Sequence, residues 1–107
     1  MSKILIIAEH LDGKLNLPAT AKCVSAAKAT GAESIDVAVL AADPAALAAE
    51  AATLAGVGRV LAVANPANAQ AIAQVLAPQI AKLAEGYTHV FGPSTTFGKD
   101  LMPRVAA

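Results

Sequence analysis

Four apolar runs, each followed by a stretch that favours helix, constrain the fold more than any other feature of the sequence. The first run, Ile4–Ala8, is continuous and does not alternate with polar residues, which is typical of a parallel strand that helices cover on both faces. Residues 34–41, 57–64 and 88–92 predict three further strands. This order of strand and helix predicts an α/β fold in which a parallel sheet forms the middle layer of a three-layer sandwich.

Turn and capping residues predict the limits of the first helix. Asp12-Gly13 indicates a turn after the first strand, and Pro18 suits a first helical turn. The helix is predicted over residues 19–29, with Gly31 as its left-handed cap. The strand that follows places three β-branched residues on one face, namely Ile35, Val37 and Val39.

Two capping side chains that precede prolines predict the next two helices. Asp43-Pro44 starts a helix that runs to Ala55, and Asn65-Pro66 starts a longer one that runs to about Glu85. Pro78 lies inside the longer helix and predicts a kink, because proline cannot donate the backbone hydrogen bond of that turn. The buried stripe of this helix is predicted from apolar residues at helical spacing: Ile72, Val75, Leu76, Ile80 and Leu83.

The composition indicates one small core with little aromatic bulk. At 107 residues the chain has the size of a single domain, and 56% of its residues are apolar while 3% are aromatic. Alanine alone accounts for 28 residues. The core is therefore predicted to consist of Ala, Val, Leu and Ile.

Charge and cysteine usage exclude several classes of protein. Eight basic and eight acidic residues cancel without forming a Lys/Arg cluster, so no nucleic-acid partner is expected. The single Cys23 allows no internal disulfide, and no metal site is predicted. Only five apolar residues follow Met1-Ser-Lys, which is too few for a signal-peptide core or a membrane span, so no membrane insertion is expected.

The polar turn over residues 92–100 is the most distinctive segment. A phosphate-binding P-loop separates its glycines by four residues and follows its lysine with Ser or Thr, whereas here five residues separate Gly92 from Gly98 and Asp100 follows Lys99. The sequence therefore argues against a P-loop. Three interpretations remain open for the hydroxyl residues of the turn, namely a cap for a fourth helix, a contact with a ligand or partner chain, or an ordinary polar surface loop: Ser94, Thr95 and Thr96.

Glu9 and His10 follow the first strand, and we expect them beside that turn because parallel strands share their carboxyl edge. Together with Lys99 they are groups that can do acid and base work, although polar residues that simply end a strand at the surface explain them more easily. No Gly-x-Gly-x-x-Gly follows the first strand, so a dinucleotide-binding unit is not favoured. His89 and Cys23 are predicted to be structural, the first satisfied within its strand and the second a small buried hydrophobe.

Several short segments carry a resemblance to a known family. They are Ile4–His10, Leu15-Asn16, Pro18–Thr20, Ala55–Val60, Thr88-His89, Thr95–Lys99 and Pro103-Arg104. In these segments, and over essentially all 107 residues, the chain resembles the N-terminal domain of the electron transfer flavoprotein alpha subunit. The resemblance implies one domain over residues 1–107, with an adenine-nucleotide-hydrolase-like α/β fold that is incomplete at its C-terminus and lacks the C-terminal FAD domain of the family.

The resemblance also implies a role in a heterodimeric electron carrier of fatty acid β-oxidation. In that family FAD accepts electrons from primary dehydrogenases, such as acyl-CoA dehydrogenases, and passes them to a quinone oxidoreductase. Because the family's FAD lies mainly in the C-terminal domain and its AMP in the beta subunit, this domain is expected to be a non-catalytic scaffold and an interface with the beta subunit. A cytoplasmic location is expected in a bacterium, or the mitochondrial matrix in a eukaryote, although no transit peptide is present.

Under this interpretation the polar residues are edge or interface contacts. They are Glu9, His10, Ser94, Thr95, Thr96, Lys99 and Arg104. The resemblance assigns no catalytic, cofactor-binding or metal-binding residue to this domain. Two other hypotheses remain open: a free-standing adenine-nucleotide-binding module that uses the carboxyl edge, and a small hydrolase or transferase that uses His10 and Lys99.

Overall fold

A parallel sheet, with four strands among the described residues, organises the fold. The structure is a computed structural model, and it describes residues 3–11, 14–54, 56–65, 68 and 73–92. The strands are β1 (Lys3–Ile7), β2 (His10–Leu11), β3 (Lys14–Leu15), β4 (Ser34–Ala41), β5 (Arg59–Ala64) and β6 (His89–Phe91). The helices are α1 (Leu17–Ala29), α2 (Ala45–Ala52) and α3 (Ala73–Leu83).

β1 lies inside the sheet, whose strand order is β5-β4-β1-β6. All three pairings are parallel, and Ile4 lies opposite Ile35 of β4 on one side and His89 of β6 on the other. The chain adds β4 and β5 on one side of β1 and then crosses over to add β6 on the other. The predicted parallel α/β sheet is confirmed.

Helices cover both faces of this sheet, and alternate residues of β1 divide between the two halves of the core. Side chains on the face of α1 and α2 form one cluster, which includes Ile4, Ile6, Val24, Ile35, Val37, Val39 and Leu47. Side chains on the face of α3 form the other, which includes Leu5, Ile7, Leu40, Leu76 and Ile80. The shared face predicted for Ile35, Val37 and Val39 is therefore confirmed, and each fully buried aliphatic side chain stabilises the fold by about 1.5–3 kcal/mol.

The left-handed cap at the end of α1 follows the prediction, whereas the helix starts two residues earlier than expected, after an Asn16 cap that was not predicted. The side chain of Asn16 accepts a hydrogen bond from the amide of Ala19 at 3.3 Å, and Pro18 lies in the first turn. Gly31 has a φ of 74°, which confirms the predicted left-handed cap. The Asn16 cap moves the start to Leu17 because its oxygen satisfies one of the amides that a helix start leaves unpaired.

α2 is shorter at both ends than the sequence predicts. Pro44, not Asp43, occupies the N-cap position, and the Asp43 carboxylate accepts only a long hydrogen bond of 3.4 Å from Ala45. The helix ends at Ala52, and the chain then turns through Gly56, which has a φ of 94°. The Asp-Pro pair therefore marks the start of the helix correctly to within one residue.

α3 carries the buried stripe of the long helix. Leu76 and Ile80 are buried and Leu83 is half-buried, as predicted, while the side chains of Ile72 and Val75 lie outside those described. The helix continues past Pro78 to Leu83, and a 3-10 turn over residues 84–86 follows. The kink at Pro78 stays a prediction, and the predicted fourth helix lies outside the described residues.

Candidate functional site

A short antiparallel hairpin covers part of the carboxyl edge of the sheet. β2 pairs with β3, with His10 opposite Leu15, and the chain leaves β1 at Ala8 and Glu9. The amide of Asn16 donates to the carbonyl oxygen of Glu9 at 2.8 Å, so the residues that flank the hairpin are bonded to each other. The sequence analysis predicted a turn here but not the two paired strands.

His10 takes over a backbone contact that the sheet would otherwise leave unmade. In the β1–β4 ladder the amide of Ala8 donates to the oxygen of Ala38 at 3.1 Å, and the next donor and acceptor in this register are the amide of His10 and the oxygen of Leu40. The chain turns into β2 before that bond forms. The imidazole Nε2 of His10 donates to the Leu40 oxygen instead, at 2.7 Å, and so satisfies the end of β4.

Two further contacts fix the hairpin to its surroundings. The amide of Leu15 donates to Oε2 of Glu50 on α2 at 3.0 Å, and Leu15 itself is buried in the core. Glu9 accepts a hydrogen bond from Nδ2 of Asn16 at 2.7 Å, and Asn16 in turn caps α1. Glu9 and His10 are both half-buried and both bonded within the chain. These contacts give the two side chains a structural role, and we assign them no catalytic step.

The other predicted edge residues lie outside the described part of the chain. Glu9 and His10 lie at the carboxyl edge, as the order of the elements required. Their proximity to the polar turn stays a prediction, because the structure does not describe the remaining members of the set: Ser94, Thr95, Thr96, Lys99 and Arg104.

The opposite end of β4 holds a buried carboxylate that the sequence analysis missed. The side chain of Asp36 is 2% exposed, and its Oδ2 accepts hydrogen bonds from the hydroxyl of Tyr87 at 2.6 Å and from Nη2 and Nε of Arg59 at 3.0 and 3.3 Å. Arg59 begins β5 and Tyr87 precedes β6, so one oxygen joins three parts of the sheet. The available signal was an acidic residue inside an apolar strand, since such a residue needs a partner.

This cluster raises the pKa of its two donors, Tyr87 and Arg59. Burial raises the pKa of the Tyr87 phenol, and its hydrogen bond to the Asp36 carboxylate raises that pKa further. The hydrogen bond from Arg59 to Asp36, and the attraction between their charges, raise the pKa of the Arg59 guanidinium. Both donors therefore keep their protons across the neutral pH range. The cluster lies at the edge of the sheet opposite the one where α/β folds bind ligands, which indicates a structural role.

A groove of about 500 Å³ lies beside β5, on the side of the sheet that α3 covers. It is lined by Val63, Gln79, Lys82, Leu83 and Glu85. The amide of Gln79 is already bonded to the buried amide of Asn68, in both directions, at 3.0 and 2.7 Å. The lining therefore offers apolar surface with a charged rim, and we assign it no ligand.

The two residues predicted to be structural differ in burial. His89 is exposed, and its Nδ1 lies 3.0 Å from the hydroxyl oxygen of Thr88. Cys23 lies on α1, is 9% exposed and packs in the core, as predicted, and burial raises the pKa of its thiol. A buried thiol held in its protonated form packs as a small apolar side chain.

The comparison with protein families gives the decisive observation. The model of the electron transfer flavoprotein domain matches residues 4–107. The chain belongs to this family. The α/β sheet and the two-sided core described above are consistent with the match.

Relatives of the chain within the electron transfer flavoprotein family are named as alpha subunits. The electron transfer flavoprotein subunit alpha of Pseudomonas aeruginosa is 46% identical over 104 residues, which is 97% of this chain and 33% of that protein. The subunit alpha of Paracoccus denitrificans is 44% identical over 106 residues, with the same two shares. The mitochondrial subunit alpha of Dictyostelium discoideum is 34% identical over 113 residues, which is 99% of this chain and 32% of that protein. The chain thus spans about a third of the length of the curated relatives it matches.

Two features are absent from the described residues of this electron transfer flavoprotein domain. Within them, no helix is both long enough and apolar enough to cross a membrane. No group of three or more His, Cys, Asp or Glu side chains comes together as a metal site in the same residues.

Proposed function

We propose that this chain is the N-terminal domain of the alpha subunit of a heterodimeric, FAD-containing electron carrier, and that it serves there as a scaffold and a docking surface for the partner subunit. The observation that carries the proposal is the match of residues 4–107 to the electron transfer flavoprotein domain. The relatives are named as alpha subunits, which supports a partner beta subunit for this chain as well.

The described residues do not fit a flavin site. At the carboxyl edge the Glu9 carboxylate accepts a hydrogen bond from Asn16, and the His10 ring donates to the Leu40 oxygen. These groups hold the chain's own hairpin in place. When FAD is bound, it supplies the redox chemistry of the carrier, and we place its site outside this domain. In this proposal the described residues therefore take no direct part in electron transfer.

The proposed carrier accepts electrons from primary dehydrogenases, such as acyl-CoA dehydrogenases, and delivers them to a quinone oxidoreductase. In this scheme AMP, where present, belongs to the beta subunit. This domain is not an enzyme in its own right. It contributes a rigid sheet whose strands are joined at one end by the Asp36 cluster and covered at the other by the hairpin.

The geometry gives less support to a free-standing nucleotide-binding module. In α/β sheets ligands bind outside the carboxyl ends of the strands, and here the hairpin is bonded across the ends of β1 and β4. We expect a calorimetric titration of the 107-residue chain with AMP to show no binding at about 1 mM. At this concentration the titration detects even a weak complex with a binding free energy of about −4 kcal/mol.

The proposal is tested on the full-length subunit purified with its natural partner chain. We expect a flavin absorbance spectrum that bleaches on reduction. A second sample, in which the subunit lacks residues 1–107, is expected to keep flavin absorbance but to assemble less well with the partner chain. A flavin-free complex that takes up no added FAD would refute the carrier role. Unchanged assembly of the shortened subunit would refute the docking role.

A further inference from the structure

β5 lies at one edge of the sheet and carries little that protects such an edge. It pairs with β4 on one side, and no strand among the described residues pairs with its other side. After Arg59 its residues are Val-Leu-Ala-Val-Ala, each half-buried or exposed, whereas β4 beside it is almost wholly buried. Edge strands are usually protected by charged side chains or proline. The guanidinium of Arg59 is bonded to Asp36 at the start of the strand, so the apolar part of β5 carries no charge of its own.

Alternate residues of β5 direct their backbone groups away from the sheet. The amide of Ala8 in the β1–β4 ladder donates to the Ala38 oxygen at 3.1 Å, so even-numbered residues of β4 bond to β1 and odd-numbered ones to β5. The amide of Asn65 accordingly donates to the Ala41 oxygen at 3.0 Å. In this register the odd-numbered residues of β5 bond to β4. The even-numbered ones direct their N–H and C=O groups outward: Val60, Ala62 and Ala64.

These outward groups match those of a second, antiparallel β5. A twofold axis perpendicular to the sheet at Ala62 places Ala62 opposite its own counterpart, and Val60 opposite Ala64 of the second copy. Each outward-facing residue then belongs to a pair that exchanges both of its N–H···O bonds. The axis also keeps each face of one sheet continuous with the same face of the other, so the helices of both copies stay on their own sides.

The side chains and charges beside β5 suit this pairing. In the same register Leu61 of the second copy lies opposite Val63, which lines the groove of about 500 Å³ between β5 and α3. Both side chains belong to the α3 face of the core, and both are half-buried. The rim of the groove holds one cation and one anion, Lys82 and Glu85, and the chain has a formal net charge of 0 at pH 7. Two copies therefore meet without net repulsion.

We infer that β5 is a self-association edge, which binds the β5 strand of a second copy of this chain as an antiparallel pair and joins the two sheets into one. A twofold contact of this kind uses the same surface on both copies. The inference goes beyond the proposed carrier function and does not depend on it, because it concerns two copies of the 107-residue chain without flavin or beta subunit.

The first test is the mass of the 107-residue chain, measured by sedimentation equilibrium from about 1 μM to about 1 mM. We expect the mass to rise from 10.6 kDa toward twice that value. A chain that stays monomeric throughout this range overturns the inference.

Amide hydrogen exchange in the same samples reports which backbone groups the contact uses. Protection of the Val60, Ala62 and Ala64 amides should rise with concentration, while that of the Leu61 and Val63 amides, which bond to β4, should stay constant. Protection of the outward amides that does not depend on concentration overturns the inference, because another part of the same chain then covers the edge.

Charged variants at Ala62 test the twofold register. Ala62 is exposed, so Ala62→Glu and Ala62→Lys should each keep the fold, and each places like charges opposite one another at the axis. We expect the dissociation constant of each variant to rise about 5-fold. An equimolar mixture of the two should associate more tightly than either alone, because the facing charges are then opposite.

Ala26→Glu is the matched control, because Ala26 is an exposed alanine on α1 and takes no part in the proposed contact. We expect its dissociation constant to equal that of the unaltered chain. Equal weakening by Ala26→Glu and Ala62→Glu overturns the inference, and so does a mixture of the two Ala62 variants that associates no more tightly than each alone. If an Ala62 variant does not fold, the concentration dependence of amide exchange in the unaltered chain decides the question.

Discussion

The substitution Tyr87→Phe tests the buried carboxylate cluster. It removes one hydroxyl and leaves the ring, so packing against the α3 face of the core is kept. The lost hydrogen bond is 2.6 Å long and ends on a carboxylate oxygen that is otherwise held by Arg59. Hydrogen bonds to charged groups contribute about 1.5–3 kcal/mol, and because Asp36 keeps its other donor we expect a loss of about 1–2 kcal/mol in the free energy of unfolding.

The pH dependence supplies a second, independent readout. Burial and the hydrogen bond to Asp36 raise the pKa of Tyr87 in the folded state, so the folded chain holds the phenolic proton more tightly than the unfolded chain does. Stability from this group is therefore fully present below about pH 10, the ordinary pKa of tyrosine, and is lost as pH rises through the raised value. The stability difference between the unaltered chain and Tyr87→Phe should shrink over that range.

The assay combines urea denaturation, followed by circular dichroism at a series of pH values, with an absorbance titration. Tyr87 is the one tyrosine of the sequence and there is no tryptophan, so phenolate absorbance reports this group alone. A double-mutant cycle with Asp36→Asn isolates the coupling of the pair. A coupling free energy below about 0.5 kcal/mol would refute the reasoning. A phenol that titrates at the same pH in folded and urea-unfolded chains would refute it as well.

Three further substitutions or reactions probe other parts of the fold. Gly56→Ala should lower the free energy of unfolding by about 1–2 kcal/mol because its φ is 94°, and Gly31→Ala, with a φ of 74°, should do so by a similar amount, since the end of the Lys28 side chain that a Cβ at Gly56 meets is flexible and moves aside. Unchanged midpoints in urea titrations of both variants would contradict this backbone argument. Pro78→Ala should raise the free energy of unfolding by about 1–3 kcal/mol, and with it the urea midpoint, because it restores a backbone hydrogen-bond donor at an exposed position of α3. A lowered midpoint would show that the proline stabilises the helix. Cys23 should react with iodoacetamide more slowly in the folded chain than in urea, since burial limits access and raises the pKa of the thiol, and equal rates would contradict its burial.

Elements with long apolar runs were predictable from the sequence, and those made by short or distant contacts were not. β1 and β4 are recognisable in the sequence as apolar runs, because almost every residue in them is buried. β2 and β3 have two residues each, which is too short for any periodic signal, and the turn predicted at Asp12-Gly13 lies outside the described residues. The observed limits of α2 differ from the predicted ones. Pro44 occupies the N-cap position, the Asp43 carboxylate makes only a long hydrogen bond to the helix start, and the helix has only eight residues.

The candidate site divides in the same way. Its placement at the carboxyl edge follows from the order of strands, so the positions of Glu9 and His10 were predictable from the sequence, while their role in a site stays a prediction. Their partners were not, because the Leu40 oxygen is a backbone atom 30 residues from His10 and no side-chain pattern marks it. The Asp36 cluster joins residues that are 23 and 51 positions apart, a relation that only the folded sheet reveals.

The central place of β1 in the sheet also sets the order in which the chain is able to fold. β1 is synthesised first, and β4 is complete by residue 41, so one side of β1 is paired early. Its other side must wait for β6, with a contact between Lys3 and Thr88 that spans 85 residues. Long-range pairings of this kind are slow to form, because the chain loses the entropy of loop closure before any stabilising contact is made. During synthesis, one side of β1 therefore stays open until residues 89–91 have been made, and this is the interval in which a chaperone or a pairing error would act on it.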